Sequence, residues 1–459
     1  MAPSKPPSFG SVDVRLGDGD VPEPRPADPG SPFRLLVVGD FTARQSRGAH
    51  EAGAALASRA TAKVDVDTLD TVLGRLQPEI SISLPDEGSA RLRFRELEDF
   101  HPDRIFDRVP RFASLRDSAE ALASRPKRPA PTADLLGRIL DGVTEEERLP
   151  QPTDSPEGTL TALMRAILLD PAYRSLEAAW RGVDFLLRRL DLDSDLSVHL
   201  LDLSREELAT DLLGGGDVAR TALHQILVEK TVGTPGGVPW GAVVLLHELG
   251  SAPKDLALAW RLAQASSPAG TPVLCGASAR LLGCDSIVAT PDPDDWDRTR
   301  DADLADAWDS IRSVPEARWI GMALPRLLLR LPYGRRTEPV EAFDFEELSD
   351  PPAQDEYLWG AGALAPALLI AEAFLADGWS LRPGQEQEIS GLPLAFEEAD
   401  GEKTPKPCAE TLMTVRAAQA IGDLGLMPLL TMKGTDVVRL GIFQSIAHPQ
   451  APLSGRWKG

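Results

Sequence analysis

The chain has 459 residues, which is more than one hydrophobic core usually organises, so two or three domains are expected. Its 42% apolar and 26% charged residues are ordinary for a folded chain and argue against bulk disorder. The formal charge of -22 repels nucleic acid and anionic lipid, so we expect neither a nucleic-acid partner nor membrane insertion. The three cysteines, Cys275, Cys284 and Cys408, are too few for a disulfide framework and fit a reducing cytoplasm.

The beginning of the chain predicts a leader followed by a buried strand and a helix. Residues 1–30 are rich in Pro, Asp and Gly and predict an irregular leader. The apolar run FRLLVVGDF at 33–41 is typical of a buried strand. Residues 63–78 predict a short strand and then an amphipathic helix that stops before Pro78.

A hairpin and a helical segment follow. The runs EISISL at 79–84 and ARLRFREL at 90–97 alternate apolar with polar residues on either side of a turn, which predicts paired antiparallel strands. Residues 99–125 predict a helical segment whose apolar part, 102–115, needs a covering partner. Residues 31–125 are therefore predicted to form a small mixed α/β unit.

Residues 126–158 are predicted to be a linker that contains one short amphipathic helix. The sequence PKRPAP at 126–131 places proline at alternate positions, which favours an extended tether. The run ADLLGRILDGV at 133–143 has helical periodicity. Its apolar stripe consists of Leu135, Leu136, Ile139 and Leu140.

From residue 159 to residue 459 the pattern predicts a larger α/β domain. Residues 160–190 predict two helices, with Pro171 at the first turn of the second. Strands and helices then alternate. The predicted strands are 197–203, 241–249, 271–277 and 437–443, and the predicted helices are 218–230, 253–266, 301–313, 360–377 and 411–424.

No catalytic, cofactor or metal motif appears in the sequence. His247 and Glu248 begin like a zinc-protease helix, but Ser251 stands where the second His belongs, so His247 is interpreted as a partly buried structural residue. The triple glycine at 214–216 lacks the phosphate-loop Lys and predicts a turn. The acidic run at 291–309 lacks the Gly and Glu spacing of a calcium loop. We therefore expect no enzyme activity and no cofactor.

The first unit carries three runs that resemble a known family. They are FRLLVVGDF (33–41), VDVDTLDTVLGRLQPEISISL (64–84) and LRFRELEDFHPDRIFDRVPRFASL (92–115), and they resemble the small sheath subunit, TssB, of type VI secretion systems. In the larger unit, four further runs resemble the large sheath subunit, TssC. These are SLEAAWRGVDFLL (175–187), GTPGGVPWGAVV (233–244), RWIGMALPRLLLRLPYG (318–334) and LGLMPLLTMKGTDVVRLGIFQS (424–445).

The resemblance implies a TssB-like segment fused to a TssC-like segment that lacks the usual C-terminal part. It implies a structural role in a contractile sheath, with sheath subunits, the inner tube protein and a ClpV-like AAA+ ATPase as partners. The helix at 133–143 resembles the one that this ATPase grips, although an ordinary amphipathic helix has the same stripe. The candidate core or interface residues are Trp180, Trp319, Pro325, Arg326, Pro332, Tyr333, Gly334 and Trp359.

Three hypotheses about function remain open from the sequence. The first is a compact fused sheath subunit that assembles with copies of itself or with full-length TssB-like and TssC-like proteins. The second is a sheath-like adaptor, cap or assembly factor that docks on a sheath without propagating it. The third is a hydrolytic enzyme whose catalytic residues come together from distant positions without a recognisable motif.

Overall fold

The computed structural model describes residues 8–9, 12–13, 26–84, 88–123, 156–399 and 402–458. The predicted helix at 133–143, with Leu135, Leu136, Ile139 and Leu140, lies outside the described residues. In chain order the strands are β1 Ser8–Phe9, β2 Val12–Asp13, β3 Phe33–Gly39, β4 Ala62–Val64, β5 Glu79–Ser83, β6 Ser89–Arg93, β7 Leu196–Asp202, β8 Ala242–Leu249, β9 Val273–Ala277, β10 Ile320–Leu324, β11 Leu327–Leu328, β12 Trp359–Gly360, β13 Glu388–Ile389, β14 Phe396–Ala399, β15 Glu402–Pro405, β16 Met427–Thr431 and β17 Val438–Leu440.

The helices belong to both predicted units. They are α1 Ala54–Ala57, α2 Leu69–Leu76, α3 Pro102–Arg108, α4 Pro110–Ala123, α5 Pro156–Leu168, α6 Pro171–Leu187, α7 Arg205–Leu213, α8 Ala222–His224, α9 Pro253–Ser266, α10 Ala302–Arg312, α11 Leu364–Asp377 and α12 Val415–Asp423. A π-helix, Gln225–Val232, continues directly from α8. Several connections are single 3₁₀ turns, among them Leu97–Phe100 and Pro315–Trp319.

The main sheet has nine strands among the described residues, in the order β13-β17-β16-β10-β9-β8-β3-β7-β4. The central six, from β16 to β7, are parallel, whereas β4, β17 and β13 run antiparallel to their neighbours. Strand β3 lies between β7 and β8, which both follow it in sequence. After β3, the chain places β4 and β7 on one side of β3 and then crosses over to place β8 on the other side. This position is therefore a topological switch point.

Strand β3 lies deep in the sheet because its sequence is apolar on both faces. Leu35 and Val37 face one hydrophobic layer, whereas Leu36 and Val38 face the other, and all four are at most 1% exposed. The first layer contains α2, α3, α5, α6, α11 and the β5–β6 hairpin. The second contains α7, α9 and α10. The sheet thus carries helices on both faces, which confirms the predicted α/β class.

The two predicted units share one interior in the described residues. Strand β3, from the first unit, pairs along its full length with β7 of the second. The apolar part of the predicted segment 102–115 is covered as expected, since the rings of Phe106 and Phe112 pack at a tilt against Phe343, with centroids 5.4 and 6.3 Å away. The TssB-like part therefore packs into the TssC-like part and contributes a central strand to its sheet.

The structure corrects several element predictions. The segment predicted as helix at 218–230 is a 3₁₀ turn, a short α-helix and the π-helix in succession. The segment predicted as helix at 99–125 breaks at Val109, because Pro110 begins a new helix. Strands β10 and β16 were not predicted, because short apolar runs do not distinguish a buried strand from a helix. The turn predicted at 214–216 is confirmed by the positive φ of Gly215 and Gly216, 92° and 93°.

Candidate functional site

The segment that most specifically resembles the large sheath subunit, 318–334, crosses the centre of the molecule. It forms β10, passes Pro325 and Arg326, and then forms β11, which pairs antiparallel with β12 at Leu328 and Trp359. The chain then turns at Gly334, where an added Cβ would collide with the carboxylate of Glu346. Glycine therefore leaves room beside this turn for the Glu346 carboxylate.

A buried network of charged groups fixes this segment to helix α6. The Arg330 guanidinium donates from Nε to Glu177 Oε1 at 2.8 Å and from Nη1 to Glu347 Oε2 at 2.7 Å. Arg181 Nε donates to the same Glu177 oxygen at 2.7 Å, and its Nη2 donates to the Tyr333 hydroxyl at 2.9 Å. The side chains of Glu177, Arg330 and Glu347 are at most 5% exposed. Two arginines balance two glutamates, so the network is neutral as a whole.

The electrostatics of this network favour the ionised form of Glu177. Burial by itself raises the pKa of Glu177, but Arg330 and Arg181 more than offset it, so the pKa lies below its ordinary value. Burial raises the pKa of the Tyr333 hydroxyl well above its ordinary value, so it stays protonated. With every charge matched, the arrangement holds α6 against residues 330–347 and offers no free acid or base.

The structure places the candidate core or interface residues mainly in the interior. Trp180, Trp319, Tyr333 and Trp359 are at most 5% exposed. Pro325, Pro332 and Gly334 are also buried, whereas Arg326 is partly exposed and forms an ion pair with Glu410. The Trp180 indole donates from Nε1 to the Phe41 carbonyl at 3.0 Å, and the two rings meet edge to face at 5.3 Å. These side chains pack this chain against itself, and any role in subunit contacts stays a prediction.

A second charged cluster, which the sequence did not predict, lies where β3 and β7 end. Glu207, on α7, has a fully buried side chain that accepts from Arg59 Nη2 at 2.8 Å and from Arg44 Nε at 3.0 Å. Burial raises the pKa of Glu207, but the hydrogen bonds from Arg59 and from backbone amides outweigh it, and the pKa falls to about 2. Both arginines come from the first unit and Glu207 comes from the second. The cluster therefore ties the two units together.

A polar crevice opens at the carboxyl ends of β3, β8 and β10, beside the switch point. Its volume is about 360 Å³, and its polar lining comes from Asp40, Arg174, Ser175, His247, Glu248 and Arg326. Leu246, Leu358, Trp359 and three alanines form its apolar lining. Ligands of open α/β sheets bind at this kind of position. Two of the sequence-predicted residues, Arg326 and Trp359, thus line one crevice.

His247 is held within this crevice as a neutral side chain. Its Nε2 lies 2.9 Å from the Leu203 carbonyl oxygen, and burial lowers the pKa of the imidazole.

Among the described residues, no group of three or more His, Cys, Asp or Glu side chains is arranged to hold a metal ion. In the part of the chain that the structure describes, no helix has both the length and the apolar content needed to cross a membrane.

Comparison with known families assigns both parts of the chain. Residues 29–151 match the model described as type VI secretion system, VipA, VC_A0107 or Hcp2. Residues 156–447, more than half of the chain, match VipB, described as EvpB/VC_A0108, tail sheath N-terminal domain. The chain belongs to the type VI secretion sheath family. The predicted TssB-like and TssC-like segments are thereby confirmed.

A curated sheath protein gives the same assignment for the second part. Over 299 residues the chain is 32% identical to the type VI secretion system sheath protein TssC1 of Pseudomonas aeruginosa. The aligned region covers 64% of this sheath-family chain and 60% of that protein, so the chain spans less than two thirds of its relative's length. The buried network of Glu177, Arg330 and Glu347 lies wholly within the part that matches the tail sheath model.

Proposed function

We propose that this chain is a structural subunit of a type VI secretion contractile sheath and that it acts by packing against other sheath subunits instead of catalysing a reaction. The observation that carries the proposal is the pair of family matches, small-subunit type at 29–151 and tail sheath type at 156–447. In the fold, the two matched parts contribute to one sheet through β3. The chain would thus enter an assembly as a joined pair of sheath units.

The surface offers apolar groups that suit such contacts. Val415, at the start of α12, is 83% exposed, and Leu412, three residues earlier, is 43% exposed. Burial of side chains of this kind against a neighbouring subunit is favourable by about 25 cal/mol per Å². The formal charge of -22 opposes association between copies, because like charges repel. Salt screens this repulsion, so we expect higher ionic strength to favour assembly.

Further partners belong to the same proposal. A contractile sheath encloses an inner tube, and its recycling uses a ClpV-like ATPase, so we propose both as partners and the cytoplasm as the location.

The helix at 133–143, with Leu135, Leu136, Ile139 and Leu140, stays the predicted ATPase contact. A peptide of residues 130–145 should bind the ATPase N-terminal domain, and a peptide with these four residues changed to serine should not. Equal binding of the two peptides would remove this contact.

Electron microscopy of the purified protein tests the central proposal. The protein is imaged alone at low and high salt and then mixed with full-length TssB-like and TssC-like subunits. Hollow helical tubes formed by the protein alone would establish a self-assembling sheath subunit. Incorporation only into mixed filaments would still support a sheath role, whereas decoration of filament ends would establish the adaptor or cap hypothesis. Isolated particles under every condition would contradict the proposal.

A pair of variants links assembly to the exposed apolar side chains. Val415→Asp should reduce filament formation, because a carboxylate resists transfer into a subunit contact. Val66→Asp is the matched control, since Val66 is 49% exposed and comes from the first unit. Equal effects of both substitutions on filament length would show that added negative charge, and not the position of Val415, controls assembly.

A further inference from the structure

The polar crevice described above has features of a ligand site that the sheath role does not explain. It lies at the carboxyl ends of parallel strands beside the switch point formed by β3, β7 and β8. Its volume of about 360 Å³ falls at the lower end of the range of small-molecule pockets, about 300–1,000 Å³. Apolar walls with a few converging polar groups are typical of such pockets.

Arg174 brings a positive charge to the crevice. It lies in the first turn of α6, where its Nη2 donates to the Tyr357 carbonyl oxygen. No carboxylate among the described residues forms a salt bridge with it, in contrast to Arg181 two turns further along the helix, which is paired with Glu177. Burial lowers the pKa of the Arg174 guanidinium. A half-buried cation that has only a carbonyl partner in the described structure favours an anionic ligand.

Arg326 approaches the crevice from the end of β10. Its Nε donates to Glu410 Oε1 at 3.0 Å, and its backbone amide donates to Glu410 Oε2 at 2.9 Å. Glu410 thereby fixes the guanidinium in one orientation. None of the contacts in the described part of the chain uses Nη1 of Arg326, so this nitrogen can donate to a ligand.

The acidic groups of the lining either have hydrogen-bond partners of their own or are buried. Both carboxylate oxygens of Asp40 accept backbone amides of its own turn, from Arg44 at 2.6 Å and from Gln45 at 2.9 Å. Burial raises the pKa of Glu248, which favours its neutral form. Burial lowers the pKa of the His247 imidazole, which favours its neutral form too. Arg174 is therefore the cation of the lining that has no carboxylate partner among the described residues, and it lies beside an oriented Arg326.

We propose that this crevice binds a small molecule that carries a carboxylate or a phosphate group, with Arg174 and Arg326 as the groups that contact the anion. Arginine suits this role because its planar set of N–H donors matches the oxygens of both anions. The apolar side, formed by Leu246, Leu358 and the Trp359 ring, would cover the rest of the molecule. The proposal does not depend on whether the chain polymerises.

Titration calorimetry on the full chain tests the proposal with citrate and inorganic phosphate as separate probes. Each is added up to about 10 mM, a range that detects a Kd near 1 mM. Sodium chloride at matched ionic strength and glycerol are the controls for screening and for unspecific binding. We expect saturable binding of one or both anions and of neither control. If neither anion saturates beyond the salt control, the proposal is overturned. A response to citrate alone or phosphate alone identifies which group the crevice accepts.

Three variants assign the binding to the crevice. Arg174→Gln should weaken binding by roughly tenfold or more, because a charge-assisted hydrogen bond is lost. Arg188→Gln, an exposed arginine of the same helix that pairs with Asp184 at 2.7 Å, is the matched control and should bind like the unmodified chain. Ala178→Glu should also abolish binding, because its carboxylate occupies the crevice beside Arg174. If correctly folded Arg174→Gln and Ala178→Glu proteins both bind like the Arg188→Gln protein, the assignment is wrong.

Discussion

Replacement of Trp180 tests whether the two sheath-like parts share one core. The ring is fully buried on α6, and Leu176, Val183 and Leu187 continue the same buried side of the helix. Its contact across the fold is Phe41, which follows β3 in the first part of the chain. Removal of this one side chain therefore disturbs the packing of both parts.

The expected magnitude has two contributions. Truncation of a buried tryptophan to alanine removes transfer free energy and leaves a cavity, which together cost about 3–5 kcal/mol. The indole N–H also donates to the Phe41 carbonyl at 3.0 Å, and a buried carbonyl left without its donor costs about 1–3 kcal/mol. Trp180→Phe keeps most of the ring and removes that hydrogen bond, so its cost should be close to the second contribution alone.

Urea unfolding followed by far-ultraviolet circular dichroism measures these costs. Trp296, which is only partly buried, provides the matched control, and Trp296→Ala should be less destabilising than Trp180→Ala. A single transition that shifts as a whole in Trp180→Ala would support a shared core. Two transitions, of which only one shifts, would refute it. An unchanged midpoint in Trp180→Ala would show that the ring is not part of the core.

Three further predictions concern the contacts between and within the two parts. A protease site inserted at 126–131 and then cleaved should leave the fragments associated, because β3 lies between β7 and β8; two separate peaks in size-exclusion chromatography would contradict this. Arg330→Met should destabilise by about 3–5 kcal/mol, since it leaves Glu347 buried without its ion-pair partner and Glu177 with Arg181 alone. Arg188→Met, which removes an exposed pair, should cost less than about 1 kcal/mol in the same unfolding assay. Because the pKa of Glu207 falls from 4.5 to about 2, its contribution of about 3 kcal/mol is present above pH 4.5 and is lost as the pH falls towards 2. The difference in melting temperature between the unmodified chain and Glu207→Gln should therefore shrink over that interval, and a constant difference would show that ionisation of Glu207 does not stabilise the fold.

Much of the local structure follows from the sequence alone. Pro171 begins α6 as predicted, with the Asp170 side chain accepting from the amides of Ala172 and Tyr173. Helix α9 has the predicted bounds, 253–266, because a strong apolar periodicity and a proline at its start determine it. The runs at 33–41, 64–84 and 318–334 were sufficient to indicate the sheath family. These features depend on residues that are close together in the sequence. Periodicity, capping residues and motifs therefore indicate them directly.

The tertiary structure decided which distant segments meet. No local pattern indicates that β3 pairs with β7, some 160 residues later, because a strand buried on both faces is equally apolar wherever it lies in the sheet. The partners of Arg330 and Glu207 were not predictable either, since a charged residue in a sequence does not show whether it is buried. The crevice with Arg174 and Arg326 exists because the ends of β3, β8 and β10 converge with the start of α6. The sequence by itself determined the local elements and the family, whereas strand order and charge pairing depend on contacts between residues far apart in the chain.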